Sequence, residues 1–201
     1  MSPRTQVRAD ERANIIRAAY SCMSSPQPGP VSVAAILDTA GMSTRAFYRH
    51  FESKDELFLA MLKRDCDVVA RKLRRLADET PGGPVAQLRA WVDCLIGLAF
   101  EPRPRAHAMV LDSDEVQVAR GYREASAQLR AEREQILADL LRRGRDDGSF
   151  PLAQPEHDAV AIHALVDRAF TPPMRNISGE RARLVDYVVD FSLRAFGAWM
   201  R

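Results

Sequence analysis

Cysteine is scarce in this sequence and carries no pattern. The 201 residues hold three, Cys22, Cys66 and Cys94, an odd number with no Cys-x-x-Cys pair, which argues against a disulfide framework and against export. Each is expected to be a small core residue. An excess of one charge is lacking too. Lys and Arg number 29 against 27 Asp and Glu, a net +2, so the chain cannot coat nucleic acid or an anionic membrane by bulk charge, and any such contact must be local. Long apolar runs are missing. The stretch Cys94 to Phe100 is far short of the roughly 20 residues that span a bilayer, and the opening residues lead into a charged segment rather than an apolar leader. A cytoplasmic chain with no membrane partner is expected.

Catalytic signatures are absent as well. There is no Gly-x-Ser-x-Gly elbow, Walker loop, Gly-x-Gly-x-x-Gly or His-Glu-x-x-His. The four histidines at 50, 107, 157 and 163 lack the Glu-x-x-His pairs of a di-iron bundle, and His157 and His163, six apart, fall on different helix faces. The expectation is no enzyme, no metal and no cofactor. A helical small-molecule-binding protein or enzyme, with an incidental N-terminal module, is the rival reading. No internal repeat and no hairpin signal occurs.

What is present is helical periodicity from end to end, on 46% apolar and 28% charged residues, so the fold class is all-α with about nine helices. Helix 1 carries Ile15, Ile16, Ala19, Tyr20 and Met23 on one face and ends at the Pro26 to Pro30 cluster. Ser32 caps a short helix to Ala40, Gly41 makes a left-handed turn, and Ser43 caps a second short helix, Thr44 to His50. Ser53 and Glu56 form a capping box that opens a long helix running to about Leu76. Later helices follow from about Pro84, from near Arg105, from Ser113 to Gly144, from Pro155 to Phe170 and from Ser178 to Met200, with a stop at Thr171-Pro172-Pro173.

The segment from Val33 to Leu57 has the physics of a DNA reader. Ile36, Ala40, Met42 and Phe47 form a small core that fixes the angle between two helices, and Thr44, Arg45 and Arg49 are left outward on the second. Plain core packing is expected of Phe47 and Phe51. Ala40-Gly41-Met42-Ser43, Phe47-Tyr48-Arg49-His50-Phe51 and Ser53-Lys54-Asp55-Glu56-Leu57 stand in order, with Ile15 to Ala19 upstream. In these motifs the sequence resembles the TetR family of bacterial transcriptional regulators over about its first 60 residues. The resemblance implies a homodimeric repressor of a palindromic double-stranded DNA operator, responsive to a small ligand. It marks Thr44, Arg45 and Arg49 as base readers and Ser32, Ser43, Tyr48, His50 and Lys54 as phosphate contacts. Leu37 stands where the family usually has Ala, and Gln27 where a helix-ending Gly is usual.

The division expected is a helix-turn-helix domain over residues 1–52 and an effector and dimerisation domain over 53–201. Trp91, Phe100, His107, Met109, Tyr122, His163, Asp167 and Phe170 are the candidate lining of a pocket for a small, mostly apolar effector, since aromatic and Met side chains with a few polar groups make such sites. The last helix is apolar around most of its circumference, which calls for two partners. The dimer interface is therefore expected on the last two helices, at Ile162, Val166, Val185, Val188, Val189, Ser192 and Phe196.

Overall fold

A computed structural model describes residues 3–25, 29–170 and 179–198. Among these residues there are ten α-helices, one 3₁₀ turn and no strand: α1 Pro3–Met23, α2 Val33–Ala40, α3 Thr44–Tyr48, α4 Lys54–Glu79, α5 Gly83–Phe100, α6 Pro102–Leu111, α7 Asp114–Gln117, α8 Tyr122–Asp146, α9 Pro155–Asp167 and α10 Glu180–Ala195. The all-α expectation holds. The extra helix arises because the expected helix from Ser113 to Gly144 is two: Gly121 takes φ +84 between α7 and α8, a left-handed conformation that no helix can include. The expected stops at Pro26-Gln27-Pro28 and Thr171-Pro172-Pro173, and Ser178, Trp199 and Met200 at the ends of the last helix, lie outside the described residues.

Packing groups the chain into two compact units. The first takes the described residues up to Asp65 together with Ala106–Ser126, and the second takes Cys66–Arg105 together with the described residues from Ala127 onward. Helices α4 and α8 each contribute residues to both units.

In the first unit, Ile15, Ile16, Ile36, Phe47, Phe51, Leu57, Phe58 and Met61 are fully buried. Each apolar stripe recurs at three- and four-residue spacing, and burying a side chain of this size stabilises by about 1.5–3 kcal/mol. Asn14 of α1 donates from Nδ2 to the Ala40 carbonyl at 2.8 Å, satisfying one of the free carbonyls at the end of α2. In the second unit, Trp91, Leu95, Leu137, Leu141, Ile162, Val188 and Phe196 belong to one apolar core drawn from α5, α8, α9 and α10. Arg181 of α10 clamps Asp93 of α5 through two hydrogen bonds, Nε to Oδ1 at 3.0 Å and Nη2 to Oδ2 at 2.9 Å. No helix among the described residues is long and apolar enough to cross a membrane.

Candidate nucleic-acid interface

The site is built on α2, the turn and α3. Ser32 caps α2 by accepting from the Ala35 N–H at 3.1 Å, and Ser43 caps α3 by accepting from the Ala46 N–H at 3.3 Å. Gly41, at φ +64, sends its N–H and that of Met42 back to Asp38 and Leu37, so α2 closes in a left-handed cap and the chain turns at once into α3. On α3, Ala46 and Phe47 face inward while Thr44, Arg45, Tyr48 and Arg49 are exposed, Tyr48 by 61%. The alternation follows from the helical period. Phe47 meets Phe51 at a centroid distance of 5.5 Å, and the Arg12 guanidinium covers the Phe51 ring at 5.0 Å.

Two further side chains are held within the protein. The His50 ring is only 5% exposed and its Nε2 lies 2.8 Å from Glu11 Oε2, so the expected phosphate contact is instead a buried anchor between α1 and the end of the reading helix. Arg49 Nη2 donates to the same oxygen at 2.7 Å, although its side chain is largely exposed. These hydrogen bonds, His50 first and then Arg49, hold the Glu11 carboxyl below its ordinary range against an opposing push from burial. Lys54 Nζ donates to Glu115 Oε1 at 2.7 Å and to the Val31 carbonyl at 3.1 Å, and Glu115 Oε2 accepts from the Val31 N–H at 3.2 Å. Lys54 is therefore a strut between α2, α4 and α7 in this conformation. Glu11 and Glu115 were invisible to sequence reasoning, since their partners lie 38 to 84 residues away and no local spacing marks them.

The expected effector lining is divided. His107, Met109 and Tyr122 belong to the first unit, where His107 Nδ1 lies 2.8 Å from Asp65 Oδ2, its ring stacks on Tyr20 at 3.9 Å, and Tyr122 donates to the Leu111 carbonyl at 3.1 Å. Met109 is 66% exposed and does not line an enclosed cavity. Trp91, Phe100, His163, Asp167 and Phe170 belong to the second unit; Trp91 and His163 are fully buried, Phe100 packs on the core and Phe170 is exposed. A shallow depression of about 270 Å³ is lined by Gln117, Val118, Ala119, Gly121, Tyr122, Arg123 and Glu124, sharing only Tyr122 with the expected set. The seven expected interface residues, Ile162, Val166, Val185, Val188, Val189, Ser192 and Phe196, are all buried inside the single chain. Their apolar girth is consumed by the protomer's own core, and a different face of the same helices is left outward: Val160 on α9, and Tyr187 and Phe191 on α10. Among the described residues no three His, Cys, Asp or Glu side chains gather as a metal site.

Residues 15–61, which run from within α1 through α2, the turn and α3 into the start of α4, match the model of the bacterial regulatory proteins of the tetR family. The chain carries a TetR-family DNA-binding domain. Its fold extends the likeness. A Pseudomonas aeruginosa PAO1 protein assigned to transcriptional regulation superimposes with a TM-score of 0.75 at 20% identity, covering 99% of this chain and 93% of that one. A bacterial regulatory protein of the tetR family from Rhodococcus RHA1 gives 0.69 at 22%, covering 92% and 96%. AibR, solved with isovaleryl coenzyme A and operator DNA, gives 0.65 at 17%, covering 90% and 97%. No curated protein matches the chain. Beyond that domain, the likeness of this chain to these regulators is one of fold, all-helical along nearly its whole length.

Proposed function

We propose that the protein is a transcriptional regulator of the TetR family, a ligand-responsive repressor that binds a near-palindromic operator as a homodimer in the cytoplasm and catalyses no reaction. The observation that carries this reading is the exposed face of α3. Thr44, Arg45 and Arg49 stand on a five-residue helix locked by a glycine turn and two serine caps, and the length and basicity of Arg45 suit a guanine O6/N7 edge in the major groove. Tyr48 and the exposed hydroxyls of Ser32 and Ser43 suit the flanking phosphates. Residues 1–52 are the part that meets DNA, and 53–201 the part that senses the effector and pairs the subunits.

The dimer face assigned here is the outward one, Val160, Tyr187 and Phe191, because a twofold interface needs apolar surface that the monomer has not already buried. The effector, small and mostly apolar, is assigned to the second unit around Trp91 and His163. AibR, of the same fold, was solved holding a coenzyme A thioester and its operator together, which supports a coupling of the two sites. Selection of genomic fragments by the purified protein tests the reading. A recovered near-palindrome whose binding is lost on Arg45→Ala is the expected outcome; recovery of random fragments alone refutes it.

A further inference from the structure

The second unit contains two buried N–H groups that have no acceptor. Trp91 Nε1, on α5, and His163 Nδ1, on α9, are both without a hydrogen-bond partner, in side chains that are 0% and 2% exposed. Their rings meet edge to face at a centroid distance of 6.4 Å. The protonation of His163 is fixed by its neighbour: Arg133 Nε donates to His163 Nε2 at 3.2 Å, and arginine can only donate, so the imidazole proton sits on Nδ1. Both orphans are thus donors. Buried donors are almost always paired, and leaving one bare costs about 1–3 kcal/mol, so the pair marks a place where an acceptor belongs.

The charges around the pair say what kind of acceptor. Arg133 is half-buried, and its hydrogen bonds go to His163 Nε2 and, from Nη1 at 3.3 Å, to Cys66 Sγ. Neither of these partners is a carboxylate, and Asp167 lies close enough to feel its charge. Asp167 Oδ2 lies 3.4 Å from His163 Nδ1 without forming a hydrogen bond, and its charge is already engaged by Arg130 Nη1 at 3.2 Å. Two arginines therefore face one carboxylate. The rest of the surroundings are apolar, with Leu137, Ile162 and Val166 in the same core.

We infer that this cluster is the binding site of a small carboxylic acid with an apolar body, whose carboxylate faces the Arg133 guanidinium and accepts from Trp91 Nε1 and His163 Nδ1. The inference rests on the reading of the chain as ligand-responsive and deepens it by naming the effector's chemical class. Hydrogen bonds of about 3 Å let donors up to ~6 Å apart share one carboxylate oxygen, and the two ring centroids lie 6.4 Å apart. Asp167 lies within ion-pair range of both His163 and Arg130, and with His163 neutral the two arginines against this one carboxylate leave one net positive charge for the ligand to neutralise.

The test uses full-length protein carrying Trp199→Phe and ¹⁵N-labelled tryptophan, so that the one indole N–H resonance is that of Trp91. Octanoate is the probe and methyl octanoate its uncharged control. A saturable downfield shift with octanoate, and binding of the ester weaker by on the order of tenfold, is the expected result. Arg133→Met and His163→Phe should each weaken octanoate by about tenfold or more while thermal melts show the fold retained. Ester and acid binding equally, or an indole unmoved by octanoate, hexanoate and 3-phenylpropionate, overturns the proposal. So does an indole already shifted downfield and insensitive to acids, the signature of a resident buried water. Operator binding in the same samples separates the two readings: a protein that binds operator but no acid refutes the carboxylate site alone, whereas one that binds acid but no specific DNA refutes the regulator alone.

Discussion

At the scale of single residues, the reading face is governed by charges that sit behind it. Glu11 of α1 holds Arg49 and His50 at once, so the charge of Arg49, a proposed base reader, is already partly answered. Replacing Glu11 with Gln should release Arg49 and tighten binding to all DNA sequences by a few-fold, with a steeper salt dependence, in titrations at varied ionic strength. The same residue sets a pH dependence. Because the folded protein holds this carboxyl below its ordinary range, its stabilising contribution is present above that range and is lost as pH falls through the lowered folded value. Urea titrations between neutral and acid pH should show that loss, and Glu11→Gln should flatten it. Arg45 and Lys54 separate differently. Arg45→Ala should cost about 1–3 kcal/mol of operator affinity and relax sequence preference, whereas Lys54→Ala, by unpairing Glu115 and the Val31 carbonyl, should lower stability by about 1 kcal/mol. If urea midpoints show Lys54→Ala as stable as the parent, the strut assignment is wrong.

At the scale of elements, short helices depend on their ends more than on their interiors. A helix of five residues such as α3 is far below the length that is stable alone, so its Ser43 cap and the packing of Phe47 set its existence. The long helices depend instead on packing. On α8, Gly144 lies under the buried Phe150 ring, where an added methyl would come within 2.2 Å of Cδ2. Alanine in a helix normally gains about 1 kcal/mol over glycine, but forcing the ring aside costs about 1–3 kcal/mol, and the second effect should win. Gly144→Ala is therefore expected to lower the urea midpoint without changing helicity by circular dichroism.

At the scale of the whole molecule, the two faces of α10 answer to different demands. Val188 and Phe196 are fully buried and Tyr187 and Phe191 are outward, by 63% and 50%. Val188→Glu places an unpaired charge in the core and should cost several kcal/mol, unfolding the chain. Phe191→Glu changes only the outer face, and should yield a folded monomer by light scattering with weakened operator binding, since a monomer presents one reading helix. A folded dimer from Phe191→Glu would place the interface elsewhere.

The sequence by itself determined what depends on near neighbours. The helical period, the serine caps at 32, 43 and 53, the left-handed Gly41 and the motif from Ala40 to Leu57 are all local, and local rules place them. The outward set on α3 was legible for the same reason, because a five-residue helix has only one face to bury. Tertiary structure alone decided what those side chains meet. The family resemblance marks His50 and Lys54 as phosphate contacts, and only folding brings Glu11 and Glu115 against them from distant helices. The apolar circumference of the last helix was legible, but not which arc the protomer's own core would take, since periodicity gives the width of a stripe and not the number of its partners. The orphan donors of Trp91 and His163 have no sequence signature at all. A hydrogen bond left unmade is a property of the packed interior, and it exists only once α5, α8 and α9 have closed around it.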